Sequence, residues 1–79
     1  MSTIARTNLK TYRQSLANKI AQEDLARLAD LRLSTYRNAE QGKNVSYTTA
    51  TKILRAINNL REKQDMEAVR LEDLGLSIV

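Results

Sequence analysis

The sequence predicts an all-α fold, a compact bundle of four to five short helices. Three observations point there. Apolar residues recur at three- and four-residue spacing in several separate stretches. The chain has no Pro and only two Gly among its 79 residues, and its helix-favouring Leu, Ala, Arg, Lys, Glu and Gln outweigh its β-branched runs. The breaks between apolar stretches are short, as in bundles whose neighbouring helices pack directly. At this length one domain, residues 1–79, is expected, and it buries roughly 60% of its unfolded surface.

Each element has its own signal. Residues 1–7 read as a frayed arm. Asn8 is a candidate N-cap for helix one, whose stripe Leu9, Tyr12, Leu16 and Ile20 predicts an end near Asn18-Lys19. Helix two starts near Gln22, with Glu23 and Asp24 complementing the helix dipole and Leu25, Ala26, Leu28 and Ala29 forming its packed side. Asp30 and Leu31 fall in a turn. Helix three runs from about Leu33 to Gln41 and stops at Gly42, a residue suited to the left-handed C′ position. Ser46 is the best N-cap in the chain. The stripe Ala50, Ile53, Leu54, Ile57 and Leu60 predicts helix four, reaching Glu62 or beyond. Met66, Val69, Leu71 and Leu74 suggest a short fifth element closed by Gly75.

Composition excludes several functions. With no Cys and no His, disulfides, thiolate metal sites and the commonest general base are all missing. Neither a metal, a cofactor nor catalysis is expected. The adjacent pairs Glu23-Asp24 and Glu72-Asp73 diverge on a helix and read as solvated charge. No apolar stretch is long enough for a membrane span or a signal-peptide core, so the expected location is the cytoplasm. Net charge is +4, and all of the excess lies in residues 1–45, with eight basic against four acidic side chains; residues 46–79 hold five of each. A basic half points to an anionic partner, nucleic acid before a membrane surface.

Helix three carries the most informative pattern. On a helical wheel Tyr36, Ala39 and Glu40 share one side, and Ser34, Arg37, Asn38 and Gln41 the other. The second stripe holds no carboxylate. Its groups suit base edges: Arg for guanine O6/N7, Asn or Gln for adenine, Ser for either. The plain alternative is a solvated helix face. Tyr12 and Tyr36 read as core rather than as a stacking platform for single strands, which would need aromatics exposed together; Tyr47 is open.

Residues 22–43 resemble the helix-turn-helix of the Cro/repressor-like regulators, the xenobiotic-response-element family. "QEDLA" at 22–26 and "EQGK" at 40–43 align with the family pattern without a gap, "STYR" at 34–37 sits at the recognition helix, and "SYTTATKILRAINNL" resembles the fourth helix. The likeness spans about residues 8–60, with the helix-turn-helix at about 22–41. Three departures stand out. Asp30 replaces the usual turn Gly, Ala21 and Arg32 occupy the two N-cap positions, and the path from Arg13 to Gln22 is about two residues longer.

The resemblance implies a lambda-repressor-like DNA-binding domain and a set of roles. Leu33, Ser34, Arg37 and Asn38 become candidate base readers. Gln22, Thr35, Lys43 and Asn44 become candidate contacts to the DNA backbone, and Arg13 with Glu40 a structural lock. Each has a plainer reading: a partly buried helix start for Leu33, a turn residue for Asn44, a solvated charge for Lys43, a surface ion pair for Arg13–Glu40. Arg6 and Lys10 are further phosphate candidates. The implied function is sequence-specific binding of double-stranded DNA by a nucleoid-associated repressor, a homodimer that occupies a promoter. The apolar segment 66–79 has three readings: packing on its own core, a dimerisation seam, or a dock for a protein partner such as a toxin or regulator, as in an antitoxin or adaptor.

Overall fold

The computed structural model describes residues 8–17 and 19–79. Its elements are α1 (Leu9–Ser15), α2 (Gln22–Leu28), α3 (Leu33–Glu40), α4 (Tyr47–Lys63) and a 3-10 turn at Leu71–Leu74. Among the described residues there is no strand, only an isolated parallel bridge between Val45 and Ile78. The expected arm, residues 1–7 with Arg6, lies outside the described residues.

Helix four follows its sequence signal. Ser46 Oγ accepts from the Thr49 N–H at 3.1 Å, satisfying one of the orphan donors of the first turn. Ala50, Ile53 and Ile57 are fully buried, while Leu54 and Leu60 are partly buried against the same core. Leu25 and Ala26 of α2 and Tyr36 and Ala39 of α3 complete its centre, with Leu9 of α1. Helix α2 packs on both α3 and α4, and α1 on α3.

Three helices end in the same way. At the C-terminus of α3, Gly42 takes φ 88°, its N–H donates to Ala39 O, and the Lys43 N–H reaches back to Asn38 O. This double bond pattern is the Schellman motif. Helix α2 repeats it with Asp30 at φ 58°, donating to Arg27 O while Leu31 donates to Ala26 O; α4 repeats it with Asp65 at φ 57°, donating to Glu62 O, and Met66 N–H on Arg61 O. Asp is among the few non-glycine residues that enter left-handed φ at modest strain. The turn between α2 and α3 therefore forms without glycine.

Helix one departs from expectation. It stops at Ser15, and Leu16 is extended. The Ser15 hydroxyl donates to the Tyr12 carbonyl at 2.8 Å, a local bond that competes with continued helix. Leu16 is buried nonetheless, and the Ala17 N–H is taken by Gln64 Oε1 of the far end of α4. The extra length before α2 is absorbed by this non-helical connection, with Lys19 at φ 42°; Asn18, in the predicted helix end, lies outside the described residues. Asn8 does not cap α1 with its side chain. Its amide donates to Asp73 O and its N–H to Leu74 O, so it joins α1 to the 3-10 turn instead.

The segment 66–79 packs on its own chain. Val69 and Leu74 are buried in the main core, and Leu71 and Leu76 lie against it. Asn58 clamps the backbone of Val69 from both sides, donating to its carbonyl and accepting its N–H. Gly75, at φ 66°, turns the chain. It then runs beside residue 45, with Val45 N–H on Ser77 O and Val79 N–H on Val45 O. Of the large apolar residues of this segment Ile78 and Val79 are exposed; so are Tyr47 and, against the expectation that it belongs to the packed side of α2, Leu28, which falls at the solvent edge of that short helix. Tyr12 is half-buried with the Arg61 guanidinium 5.4 Å from its ring centre. Among the described residues no helix is long and apolar enough to cross a membrane.

Because Leu74 has no exposed surface, Leu74→Ala should destabilise the fold by about 2–5 kcal/mol. Urea unfolding measures this. A cost below about 1 kcal/mol would mean that the 3-10 turn is a loosely attached appendage.

Candidate nucleic-acid interface

Helix α3 is two turns long and starts at Arg32 without a side-chain cap. A helix this short is marginal by itself, so its placement comes from tertiary contacts. Its inner side is Tyr36, Ala39 and Glu40, all buried. Its outer side, Ser34, Arg37, Asn38 and Gln41, is exposed.

Glu40 is the one buried charged residue among those described. Arg13 Nε donates to its Oε2 at 2.7 Å, with Nη2 on Oε1 at 3.4 Å. The Tyr36 hydroxyl donates to Oε2 at 2.7 Å, and Gln22 Nε2 to Oε1 at 2.8 Å. One carboxylate thus ties α1, α2 and α3 together. Arg13 Nη1 also donates to the Ile20 carbonyl at 2.9 Å, pinning the connection into α2. No buried side-chain nitrogen or oxygen among the described residues is left without a partner.

The protonation states follow from these contacts. Burial pushes the Glu40 carboxyl upward, but the hydrogen bonds from Arg13, Tyr36 and Gln22 outweigh it, and the group sits below its ordinary range. The bond to Glu40 holds the Arg13 guanidinium charged, against the opposing effect of burial. Burial, with the carboxylate next to it, raises the Tyr36 phenol far above its usual value. At neutral pH the cluster is a carboxylate, a guanidinium and a neutral phenol.

The candidate residues distribute as follows. Ser34, Arg37 and Asn38 are exposed on α3, and Leu33 and Thr35 are half-buried there. Lys43 is exposed just past the helix end. Asn44 is exposed, and its Oδ1 accepts from the Ser77 hydroxyl at 2.6 Å. Lys10 is exposed on α1. Gln22 is half-buried, and its side chain faces inward as well as outward: Nε2 is on Glu40, while Oε1 accepts from Arg37 Nε at 3.3 Å. Ala21, Gln22, Glu23, Leu33 and Arg37 line one shallow hollow between α2 and α3. Thr35, Lys43 and Asn44 are not part of it.

Two contributions are absent from the sequence reading. From the sequence Tyr36 reads as core alone, yet its hydroxyl is a donor to Glu40; the i, i+4 spacing of the two residues on α3 is a signal for that contact. The bridge from Glu40 through Gln22 to Arg37 has no such signal, because it crosses between helices.

Two short helices set at a tight turn, with a polar, carboxylate-free outer stripe on the second, make a helix-turn-helix. The comparison with known families agrees: the family model described as helix-turn-helix matches residues 9–63. The chain belongs to this family of Cro/repressor-like, DNA-binding transcription regulators. Its partner is DNA. No curated protein and no solved structure matches the chain.

Removing the Glu40 charge with Glu40→Gln should cost about 3 kcal/mol, since it leaves Arg13 partly buried without its counter-ion. Thermal or urea unfolding at pH 7 reads this directly. The pH dependence has a definite sign. The folded-state pKa is depressed, so the wild-type stabilisation is complete above the ordinary carboxylate value of 4.5 and is lost as pH falls through the folded pKa. The difference in stability between wild type and Glu40→Gln should therefore shrink below about pH 4.5. A constant difference down to pH 2 would show that the charge is not what stabilises the cluster.

Proposed function

We propose that the protein is a sequence-specific reader of double-stranded DNA that represses transcription by occupying a promoter as a homodimer. The exposed stripe of α3 carries the proposal. It presents donors and acceptors suited to base edges, without a carboxylate to repel phosphate, on a helix whose inner side is anchored at Glu40. In this reading Leu33, Ser34, Arg37 and Asn38 face the major groove, with Leu33 against a thymine methyl. Gln22, Thr35, Lys43 and Asn44 contact the DNA backbone, and Arg13–Glu40 sets the angle of α3. The excess of positive charge in residues 1–45 supports the same orientation.

The homodimer follows from the size of the reading element. A two-turn helix touches few base pairs, and a two-fold pair of helices spaced one DNA turn apart, ~34 Å, doubles the site on an inverted repeat. Occupancy, steric competition for the promoter, is the mechanism that DNA binding through the helix-turn-helix supplies by itself. The alternative, an antitoxin-like or adaptor protein that docks a partner through residues 66–79, has less surface to work with than the sequence suggests. Val69 and Leu74 are buried on their own core, leaving Ile78 and Val79 with Tyr47 on the outside.

Selection from a random duplex library at near-physiological salt tests the reading. The expected product is an inverted repeat, lost or degraded on Arg37→Ala; Lys43→Ala should weaken all sequences alike and flatten the salt dependence by about one phosphate contact. Salt-sensitive binding with no enriched sequence would reduce the protein to a non-specific phosphate binder.

A further inference from the structure

The hydrogen bonds around Gln22 form a directed chain. An ionised carboxylate can only accept, so the Gln22 amide must turn its nitrogen to Glu40. Glu40 Oε1 and Gln22 Nε2 are 2.8 Å apart. This leaves the amide oxygen facing Arg37, whose guanidinium can only donate, and Arg37 Nε lies 3.3 Å from it. The two bonds are consistent with one amide orientation and not with its flip. A flipped amide would set oxygen against carboxylate and nitrogen against guanidinium.

The consequence falls on Arg37. A guanidinium offers two edges for bidentate contact, one made of Nε and one Nη, the other of both Nη groups. With Nε engaged by Gln22, the second edge is the one left for a ligand. Among the described residues no protein acceptor is hydrogen-bonded to either Nη. Glu23 lines the same hollow, and among the described residues no ion pair joins it to Arg37. We propose that Gln22 is a positioning residue, which holds the Arg37 guanidinium so that its paired Nη groups meet the O6 and N7 of a guanine. The inference rests on the base-reading role proposed for Arg37. It departs from the backbone role otherwise assigned to the Gln22 side chain.

Pre-setting an exposed arginine matters because the free side chain samples many rotamers, and fixing them on binding weakens affinity. A bond made in the free protein removes part of that cost and restricts the plane in which the fork can pair. The effect should appear at one base pair and not across the site.

The test is library selection followed by titration with four duplexes differing only at the base assigned to Arg37. Wild type should prefer guanine there by about tenfold. Arg37→Ala and Gln22→Leu should each remove most of that preference, and Gln22→Leu in the Arg37→Ala background should have no further effect on it. Preference for guanine retained in Gln22→Leu overturns the inference while leaving Arg37 a base reader. So does a uniform loss across all four duplexes, which would make Gln22 a backbone contact. If wild type enriches no sequence at all, the base-reading role itself fails, and this inference with it. Should Gln22→Leu not fold, the free wild-type protein decides by NMR. Its Arg37 Nε–H, assigned by its loss in Arg37→Ala, should exchange with solvent more slowly than that of exposed Arg55; equal exchange overturns the inference.

Discussion

The carboxylate of Glu40 is the constraint on which the arrangement of α1, α2 and α3 depends. Burying a charge is unfavourable unless donors replace its water, and here three side chains from three helices do so: Arg13, Gln22 and Tyr36. Each donor must reach the same two oxygens, so the helices that carry them have little freedom to shift. An apolar contact at this position would add comparable stability but would tolerate sliding. The hydrogen bonds are directional where an apolar contact is not, and the same cluster extends through Gln22 to Arg37 on the exposed side of α3.

Such a fastening is needed because the helices are weak alone. Helices α1 to α3 have seven or eight residues each and start without side-chain caps. Their ends are better defined than their beginnings. Schellman turns at Asp30 and Gly42 satisfy the last carbonyls of α2 and α3, and they fix where the chain leaves each helix. The turn between α2 and α3 is thus set by backbone hydrogen bonds closing over a left-handed residue, and Asp30 serves there because its short polar side chain tolerates that conformation.

The C-terminal third acts as a brace from the opposite side. Helix α4 supplies the longest apolar face, and the 3-10 turn covers it with Leu74. Asn8 ties α1 to that turn, Gln64 ties the end of α4 to the exit of α1, and Asn58 holds Val69. Residues 77–79 lie beside Val45, immediately after the exposed Lys43 and Asn44. The loop that follows α3 is held between its own helix end and this segment.

The sequence by itself determined α2, α3 and α4 and most of their buried residues, Leu28 of α2 being the exception. The three-and-four spacing marks α2, α3 and α4 to within a residue or two, Ser46 and Gly42 mark their caps, and the joint spacing of "QEDLA" and "EQGK" identifies the family. These are local patterns, set by helical periodicity and by which residues tolerate a given backbone angle. Tertiary structure decided the rest. It ended α1 at Ser15, since Leu16 and Ala17 find better partners elsewhere than in another helical turn. It turned Asn8 from a cap into a tie. It also packed much of the apolar segment 66–79 inside, a choice that no pattern along the segment separates from a dimer seam or a partner dock. The orientation of Gln22 between Glu40 and Arg37 belongs to the same class. Hydrogen bonds between helices depend on distances that are set only once all the helices are packed, and a linear sequence does not carry them.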